Sequence, residues 1–600
     1  MIACLRLFTA LCLATLLAAC ATAPSSNLGE LPRTPDASID QLLEQASASK
    51  APDKAALLRL SAADLAYKQH DNPRSEQILT QINLDLLKPA QQVFASTLLA
   101  ELAMARNDAK AALTDLNHPS LQHLDELPLD QQIRTHLVRA RALEADNQAL
   151  SAARERVFIS PLLTGSAAND NQESIWALVS SLPVEQLQNA GSDEFGGWLS
   201  LALAVKTAPT LEQQQKAIDT WKAQHPDHPA AKQLPQPLVK LKQLASQPLT
   251  RITLLLPQEG PLAGVGRALR DGFMAAYYQA QQAGLKPPVV DVVDSSRLGS
   301  IDEFYRQAQA AGSQLVVGPL EKPLVKQLST RAQLPMTTLA LNYSDTTQAG
   351  PPQLFQFGLA AEDEAREVSR RARADGKHTA VALVPKGEWG DRVLAAFRQD
   401  WEANGGTFLG AEHIDQPVQL AQQIAELFQL RGQNAGASLQ NGQAAAQPTR
   451  RQDVDFIFLA ATPQQAEQIK PTLNFQYAGD VPVYATSHVF SASGDQAQYT
   501  DMNGVLFCET PWLLDTSSAL HQQVTREWPQ AAGSLGRLYA MGIDAFTLSS
   551  RLQQLKALPD NRIPGVSGSL GLGTSQRIER QLPWAQFDGG QVKRLPDPAQ

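Results

Sequence analysis

Short motifs in the sequence contain residue types that could carry catalysis or bind a metal ion. Ser47-Ala-Ser-Lys50 has the Ser-x-x-Lys spacing that places a lysine near a nucleophilic serine, and His225-Pro-Asp-His228 offers two imidazoles to a metal. Both motifs lack partners, because no Ser-Asp-Asn or Lys-Thr-Gly follows the serine and no third ligand stands close to the histidines. We interpret the first as a chance match and the second as a surface loop.

The other signals for catalysis are also incomplete. Gly264-Val-Gly266 resembles the start of a dinucleotide-binding fingerprint, but Leu269 occupies the third glycine position and no acidic residue is placed to hold a ribose. We interpret this segment as a tight turn. No Gly-x-Ser-x-Gly sequence occurs and the ten histidines are scattered, so no set of residues combines a nucleophile, a base and oxyanion donors. The sequence therefore predicts a protein that is not an enzyme and implies no cofactor and no metal ion.

The chemistry that the sequence does indicate is lipidation at Cys20. An apolar run from Leu7 to Ala18 follows Arg6 and is too short to span a bilayer as a stable helix, which predicts a signal peptide over residues 1–19. The run closes with Leu17-Ala-Ala-Cys20, which resembles the bacterial lipobox. That resemblance implies that the cysteine sulfur receives a diacylglyceryl group and becomes the new N-terminus. An ordinary secretory signal with a chance cysteine is the alternative.

The residue after the cysteine and the net charge indicate the compartment. Ala21 stands where an aspartate would resemble an inner-membrane retention signal, so the outer membrane, at its periplasmic face, is favoured. Several acyl chains on one residue anchor a protein durably, because each buried methylene contributes about 0.8 kcal/mol. The formal net charge of −9 argues against nucleic acid and against electrostatic docking to anionic lipid.

The cysteines support this organisation. Cys4 and Cys12 leave with the signal peptide and Cys20 is lipidated, so Cys508 remains alone and the mature chain has no intramolecular disulfide. Cys508 lies in the apolar segment Gly504-Val-Leu-Phe-Cys508, which predicts a buried and inert thiol.

The sequence pattern predicts helices throughout the first half of the mature chain. After a flexible tether over residues 20–36, rich in Pro, Ser, Thr and Ala, apolar residues recur with the 3.6-residue period over Ala55–Gln69 and Gln91–Arg106. Helix breaks at Asp71-Asn72-Pro73 and Asp146-Asn147 leave pairs of short helices, which recur at intervals somewhat above the length of a tetratricopeptide repeat. We predict a TPR-like helical solenoid over residues 37–245; an irregular helical bundle is the alternative.

The second half alternates between strand and helix. Arg251–Pro257 is a continuous apolar run of the kind that a parallel strand needs when helices cover both its faces, and a helix is predicted over Gly266–Ala283. Further strand segments follow at Pro288–Val293, Leu315–Gly318, Met336–Ala340, Thr379–Val384, Asp455–Leu459 and Val481–Tyr484. This order predicts a doubly wound α/β architecture over residues 249–600, with two lobes that divide near Leu341–Phe357.

Several segments of this half resemble a known fold. Gln314-Leu-Val-Val-Gly-Pro319 and Val381-Ala-Leu-Val-Pro-Lys-Gly-Glu-Trp-Gly390 are similar to the type 1 periplasmic binding fold, the family of branched-chain amino-acid receptors. The resemblance covers roughly residues 249–595. It implies two lobes with a cleft between them.

A second resemblance covers the whole chain. The lipobox, the TPR-like half and the α/β half together are similar to the LpoA-type family of penicillin-binding protein activator lipoproteins. The matching segments of the α/β half are Gly504–Trp512, Arg537–Ala545, Gly565–Gly568 and Arg580–Gln586. The resemblance implies that the protein binds a class A penicillin-binding protein, a bifunctional peptidoglycan synthase, and stimulates it allosterically, with peptidoglycan as a further candidate partner. It gives no contact residues for that partner.

The alternative function is a periplasmic solute-binding receptor or sensor. In that family a serine after the strand that matches Leu315–Gly318, and a threonine further on, hold the ligand. Here the loop reads Gly318-Pro-Leu-Glu-Lys-Pro323 without a hydroxyl, which argues against a free amino acid as ligand. The candidate residues for lining the cleft are Gly264, Glu321, Lys322, Thr337 and Thr338.

One polar segment interrupts the α/β half. Residues 431–452 are of low complexity and cannot bury enough apolar area to offset the entropy of ordering them, which predicts a mobile insertion.

Overall fold

The computed structural model describes residues 28–32, 36–188, 191–208, 210–245, 248–345, 350–414, 417–430, 450–492, 499–558 and 562–596. Cys20 and the predicted signal peptide lie outside these residues, as do residues 431–449 of the predicted insertion. The chain divides into two compact units. The first contains the described residues up to Ala204 and Trp221–Gln236, and the second contains Val205–Thr220 and the described residues from Pro237 onward.

Helices make up the chain from its first described element to Ala245. In chain order they are α1 (Ile39–Ala48), α2 (Pro52–Lys68), α3 (Asn72–Leu79), α4 (Pro89–Ala105), α5 (Ala109–Asp115), α6 (Leu129–Ala145), α7 (Ala149–Ile159), α8 (Gly165–Ser181), α9 (Val184–Leu187), α10 (Glu194–Thr207), α11 (Leu211–Gln224), α12 (Pro229–Lys232) and α13 (Gln236–Ala245). No helix of the described residues is both long enough and apolar enough to cross a membrane.

A repeated helix pair organises the first part of this helical unit. The longer helices α2, α4 and α6 each span 17 residues, and a shorter helix follows each of them. A residue in the left-handed conformation ends each long helix, namely His70, Asn107 and Asn147. Asp71 and Asp108 then cap the next helix by accepting a hydrogen bond from a backbone N–H. The helical pairs predicted from the sequence are confirmed, and small buried residues such as Ala62 and Ala66 let neighbouring helices approach closely.

Strands alternate with helices after residue 250. The elements are β1 (Arg251–Leu256), α14 (Ala263–Gln282), β2 (Val289–Asp294), α15 (Ile301–Ala310), β3 (Leu315–Val317), α16 (Lys322–Ser329), β4 (Thr337–Ala340), β5 (Leu354–Gln356), α17 (Ala361–Ala374), β6 (Thr379–Pro385), α18 (Glu388–Ala403), β7 (Thr407–Ile414), α19 (Pro417–Leu427), β8 (Phe456–Leu459), α20 (Pro463–Phe475), β9 (Val483–Ala485), β10 (Leu506–Cys508), α21 (Pro511–Leu514), α22 (Ala519–Glu527), α23 (Gly536–Ser549), α24 (Leu552–Ala557), β11 (Ile563–Pro564), β12 (Ser569–Leu572), β13 (Ile578–Gln581), β14 (Trp584–Asp588) and β15 (Gln591–Arg594).

Two parallel sheets form the two lobes of the α/β unit. In the described part of the chain the first sheet has the order β2-β1-β3-β4-β5, and all its neighbouring strands are parallel. The second repeats this order as β7-β6-β8-β9-β10, and then adds β14 and β15 in antiparallel pairing. Both orders are those of a doubly wound sheet. The predicted α/β architecture with two lobes of the type 1 periplasmic binding fold is confirmed.

Alternating side chains of the central strands enter separate apolar cores. In β1, Ile252 and Leu254 pack on one face of the sheet, whereas Leu255 packs on the other. In β6, Val381 and Leu383 likewise belong to a different core from their neighbours along the strand. Helices therefore cover both faces, which explains why these strands read as continuous apolar runs in the sequence.

Two glycines let helices α14 and α23 cross at close range. A Cβ atom on Gly272 would lie 2.2 Å from the carbonyl oxygen of Tyr539, and one on Gly542 would lie 2.2 Å from the carbonyl oxygen of Leu269. The two helices thus meet backbone to backbone at reciprocal positions. This contact gives a physical reason for a glycine within the Arg537–Ala545 segment.

A small antiparallel sheet, β11-β12-β13, stands beside the two parallel sheets. The loop between β11 and β12 is held by Asp544, whose carboxylate accepts hydrogen bonds from the backbone N–H groups of Val566 and Ser567 at 2.9 and 2.7 Å. Burial raises the pKa of Asp544 to about 6, even though these hydrogen bonds lower it. A Cβ on Gly565 would lie 2.5 Å from the same carboxylate, so the loop requires glycine there.

Two short motifs lie in surroundings that differ from the sequence prediction. Gly264 and Gly266 are in the first turn of helix α14 rather than in a tight turn, and Gly266 packs against the carbonyl oxygen of Pro257. His228 is buried rather than exposed in a surface loop. Its Nδ1 accepts from the N–H of Ala230 at 3.1 Å, and its ring contacts two tryptophans, so the side chain has a structural role.

Cys508 is fully buried at the end of β10, and burial raises the pKa of its thiol well above the usual range. We therefore expect no reaction between this thiol and a water-soluble disulfide reagent in the folded mature chain, because both access and thiolate are missing. Reaction should become complete in guanidinium chloride. Rapid labelling of the native chain at Cys508, located by mass spectrometry, would contradict this prediction.

Candidate functional site

Two of the residues predicted to line the cleft, Glu321 and Lys322, follow β3. Glu321 is the residue before helix α16, and its Oε1 accepts a hydrogen bond from the hydroxyl of Ser295 at 2.6 Å. Its Oε2 is buried and has no hydrogen-bond partner among the described residues. Lys322 instead points its Nζ to Asp345, 3.1 Å away. The two charges therefore bind separate partners and do not pair with each other.

Thr338 has a structural role in the first lobe. Its side chain is fully buried in β4 and lies 2.8 Å from the hydroxyl of Tyr305 on helix α15. Thr337 points to the opposite side of the strand and is half-buried. Gly264 faces open space at the start of α14. The structure thus holds the hydroxyl of Thr338 in a core contact rather than presenting it to a ligand.

A strongly charged cavity of about 500 Å³ lies elsewhere in the α/β unit, and none of the five predicted residues lines it. We call it the arginine pocket. Its lining residues are Tyr343, Asp363, Arg366, Glu367, Arg370, Arg373, Asp400, Arg562, Arg577, Glu579, Arg580 and Gln581.

Helix α17 forms one wall of the arginine pocket with charges that are largely paired. The lining positions recur every three or four residues, so they share one face of the helix. Arg366 donates to Asp363 at 2.7 Å, and Arg370 forms an ion pair with Glu367. Burial raises the pKa of Glu367, although the hydrogen bond from Arg370 opposes this shift.

The opposite wall carries three arginines that donate hydrogen bonds mainly to backbone carbonyl oxygens. Arg562 donates to the carbonyl oxygens of Ser569 and Glu579. Arg577 donates to the carbonyl oxygen of Ser344 at 2.8 Å, and its guanidinium lies 5.1 Å from the ring centre of Tyr343. In the part of the chain that the structure describes, neither arginine forms an ion pair with a carboxylate.

The third arginine of this wall, Arg580, is only 7% exposed. Its Nη1 donates to the carbonyl oxygen of Ser567 at 3.2 Å. Its Nε and Nη2 are buried and have no hydrogen-bond partner among the described residues. A buried guanidinium with two unused donors is costly unless another group binds to it.

Glycines in and after β12 make space for the charged side chains of this wall. A Cβ on Gly571 would lie 2.7 Å from a guanidinium nitrogen of Arg562, and one on Gly573 would lie 1.9 Å from a carboxylate oxygen of Glu579. Burial lowers the pKa of Arg562, and the nearby charge of Glu579 opposes that shift.

The geometry of the arginine pocket offers binding chemistry. Among the described residues, no group of three or more His, Cys, Asp or Glu side chains is placed to hold a metal ion. Guanidinium groups are suited to bind carboxylate or phosphate oxygens in pairs. The arginine pocket was not among the sites predicted from the sequence. The charges of α17 have the spacing of an ordinary solvated helix, and Arg580 is far from them along the chain.

A helical unit followed by a two-lobed α/β unit defines the class of protein, and comparison with known proteins identifies the family. Residues 32–590 match the family model described as "LppC putative lipoprotein". The chain belongs to this family of lipoproteins.

The chain aligns with named relatives over nearly its full length. The chain is 29% identical to "Penicillin-binding protein activator LpoA" of Pectobacterium parmentieri over 98% of both chains, and 27% identical to the protein of that name from Vibrio cholerae over 97% of both. A solved structure of Haemophilus influenzae LpoA matches 94% of this chain and 99% of its own with a TM-score of 0.57 at 26% identity. A second, full-length LpoA structure from that organism covers 93% of this chain with a TM-score of 0.52.

Proposed function

We propose that this chain is an outer-membrane lipoprotein that binds a class A penicillin-binding protein and activates it allosterically, and so regulates peptidoglycan synthesis. The observation that carries the proposal is the likeness to proteins named penicillin-binding protein activator LpoA over nearly the full length of both chains. A likeness of this extent includes the helical and the α/β unit together, whereas a solute receptor needs the α/β unit alone.

The anchor of this proposal is Cys20. Acylation there would hold the chain at the periplasmic face of the outer membrane, with residues 1–19 removed and residues 20–36 as a flexible tether. We propose a helical domain over residues 37–245 as spacer and wall-facing surface, and an α/β domain over residues 249–600 that contacts the synthase. Peptidoglycan is a further candidate partner of the helical domain.

Activation requires that the chain bind the active conformation of its partner more tightly than the inactive one. Allosteric couplings of this kind commonly amount to about 1–3 kcal/mol. The tether adds to this by raising the effective concentration of the chain at the synthase. The chain itself acts in this proposal as a regulator and not as an enzyme.

The side chains near the predicted cleft support this proposal over a solute receptor. Thr338 is bound within the core, and the positions after β3 carry Glu321 and Lys322, each already engaged with another residue. If the chain were an amino-acid receptor, calorimetry with free amino acids would give saturable heats. We propose that Gly264, Glu321, Lys322 and Thr337 line a cleft without an amino-acid ligand.

The test uses the full mature chain and a purified class A penicillin-binding protein from the same bacterium. We expect the chain to capture the synthase and to raise its rates of glycan polymerisation and peptide cross-linking about fivefold or more. A receptor of the same α/β fold serves as the control and should change neither rate. Absence of capture together with unchanged rates would contradict the proposal.

Thiol counting tests the anchor separately. If Cys20 is acylated and the signal peptide is removed, the unfolded mature chain has one free thiol, that of Cys508. Two free thiols per chain would contradict acylation.

A further inference from the structure

The arginine pocket carries more positive than negative charge. Six arginines and four carboxylates line it, which leaves an excess of two positive charges. The carboxylates Asp363 and Glu367 are bound by arginines of their own helix, and Asp400 lies 3.6 Å from Arg373. The excess charge therefore lies on the opposite wall, with Arg562, Arg577 and Arg580.

Arg580 is the strongest indication that this wall binds a ligand. It is more than nine-tenths buried, it lines the cavity, and two of its nitrogens have no partner among the described residues. The charge of Arg580 acts on the buried carboxyls of Glu364 and Asp544, where it lowers the pKa, and burying a guanidinium is costly without negative charge around it. An anion in the cavity would further offset the positive charge that Arg580 brings to this wall.

The surroundings of Arg580 are built to keep the cavity open and charged. Gly571 and Gly573 leave the space that the side chains of Arg562 and Glu579 occupy. Tyr343 provides an aromatic face for Arg577, which orients that guanidinium beside the cavity. The cavity volume of about 500 Å³ is in the range of small-molecule sites and exceeds what a single small ion needs.

We propose that the arginine pocket binds a small organic oxyanion of charge −2, either a phosphate monoester or a dicarboxylate, with Arg580 as its central ligand. Two negative charges would balance the excess of the lining. The fork of donors on each guanidinium matches the oxygen spacing of phosphate and carboxylate alike. This site is separate from the predicted cleft residues, and the inference does not depend on the proposed activation of a synthase.

The test measures anion binding by the full mature chain. Glycerol 3-phosphate and succinate are titrated by calorimetry at about pH 8, where a phosphate monoester carries two charges. Sodium chloride of matched ionic strength is the control for screening. We expect saturable binding of at least one of the two dianions, with a higher thermal midpoint, and no such effect of chloride. The dianion that binds more tightly identifies the ligand chemistry.

Variants locate the site. Arg580→Gln removes the charge while keeping hydrogen-bonding groups, and we expect at least about tenfold weaker binding because charge-assisted hydrogen bonds are lost. Arg577→Gln, on the same wall, should weaken binding in the same direction and serves if the first variant does not fold. Arg398→Gln is the matched control, since Arg398 is 58% exposed, forms an ion pair with Glu402 of its own helix and does not line the cavity.

Two results would overturn the proposal. One is that neither dianion binds the wild-type chain more tightly than chloride does. The other is that the folded Arg580→Gln and Arg577→Gln variants bind the dianion as tightly as the wild-type chain. A purely structural role for Arg580 gives the second result, because the variant would then change stability without changing the shift that the anion produces.

Discussion

Replacing Arg537 by alanine is expected to lower the free energy of unfolding by about 3–5 kcal/mol. Arg537 is the first charged residue of α23, and its Nε lies 3.1 and 3.2 Å from the two carboxylate oxygens of Glu509, whose side chain is fully buried. Its Nη2 also donates to the carbonyl oxygens of Ser487 and Phe490 at 2.9 Å each. Alanine would leave a buried carboxylate without its counterion and two carbonyl oxygens without this donor.

Urea unfolding of the mature chain, followed by circular dichroism, measures this loss. Arg398→Ala is the matched control, because its ion pair with Glu402 is exposed and should contribute no more than about 0.5 kcal/mol. The double variant Arg537→Met with Glu509→Leu should be less destabilised than Arg537→Ala, since it removes the isolated charge as well. A single variant as stable as the Arg398→Ala control would show that the pair does not stabilise the fold.

Replacing Trp584 by alanine is expected to cost about 3–5 kcal/mol as well, but by a different mechanism. Its side chain is fully buried in β14, and its ring lies edge to face with Tyr484 at 5.7 Å. Its Nε1 donates to Glu367 at 3.0 Å, and the guanidinium of Arg371 lies 5.5 Å from the ring centre. Alanine would create a cavity between the sheet and α17, and it would take a donor from a buried carboxylate.

Thermal and urea unfolding of Trp584→Ala and Trp584→Phe separate these two effects. Phenylalanine keeps most of the aromatic volume and loses the N–H group, so it should cost clearly less than alanine. Equal losses for the two variants would mean that the hydrogen bond to Glu367, rather than packing, accounts for the stability at this position.

The central strands could be predicted because burial on both faces demands a continuous apolar run. The segments around β1, β3, β6 and β8 all have such runs, and each lies within two residues of its predicted bounds. Strand β7 has no such signal, because its residues are mostly half-buried at the edge of the sheet and its register shifts opposite β6. Strands β11–β13 span only two to four residues each, which is too short for a clear strand pattern.

The arginine pocket could not be predicted, for a physical reason of the same kind. A helix with charges every three or four residues looks alike whether it faces water or a charged cavity. Only the fold brings Arg580 of β13 close to Glu367 of α17, and the sequence contains no local sign of that meeting. The family pattern assigns Thr338 to a strand, and the residue lies in β4. The pattern does not reveal that the hydroxyl of Thr338 is already bound by Tyr305.

The close crossing of α14 and α23 has a consequence for how the protein is made. Leu269 and Phe273 of α14 share an apolar core with Met541 and Leu548 of α23, although most of the second lobe lies between them in the chain. A nascent chain that has completed every strand of the first sheet therefore still lacks the helix that shields this core. Until the ribosome passes Ser549, the apolar side of α14 remains uncovered and open to premature association. A chain truncated before Gly536 would lack α23, and the apolar core of the first lobe would remain incomplete.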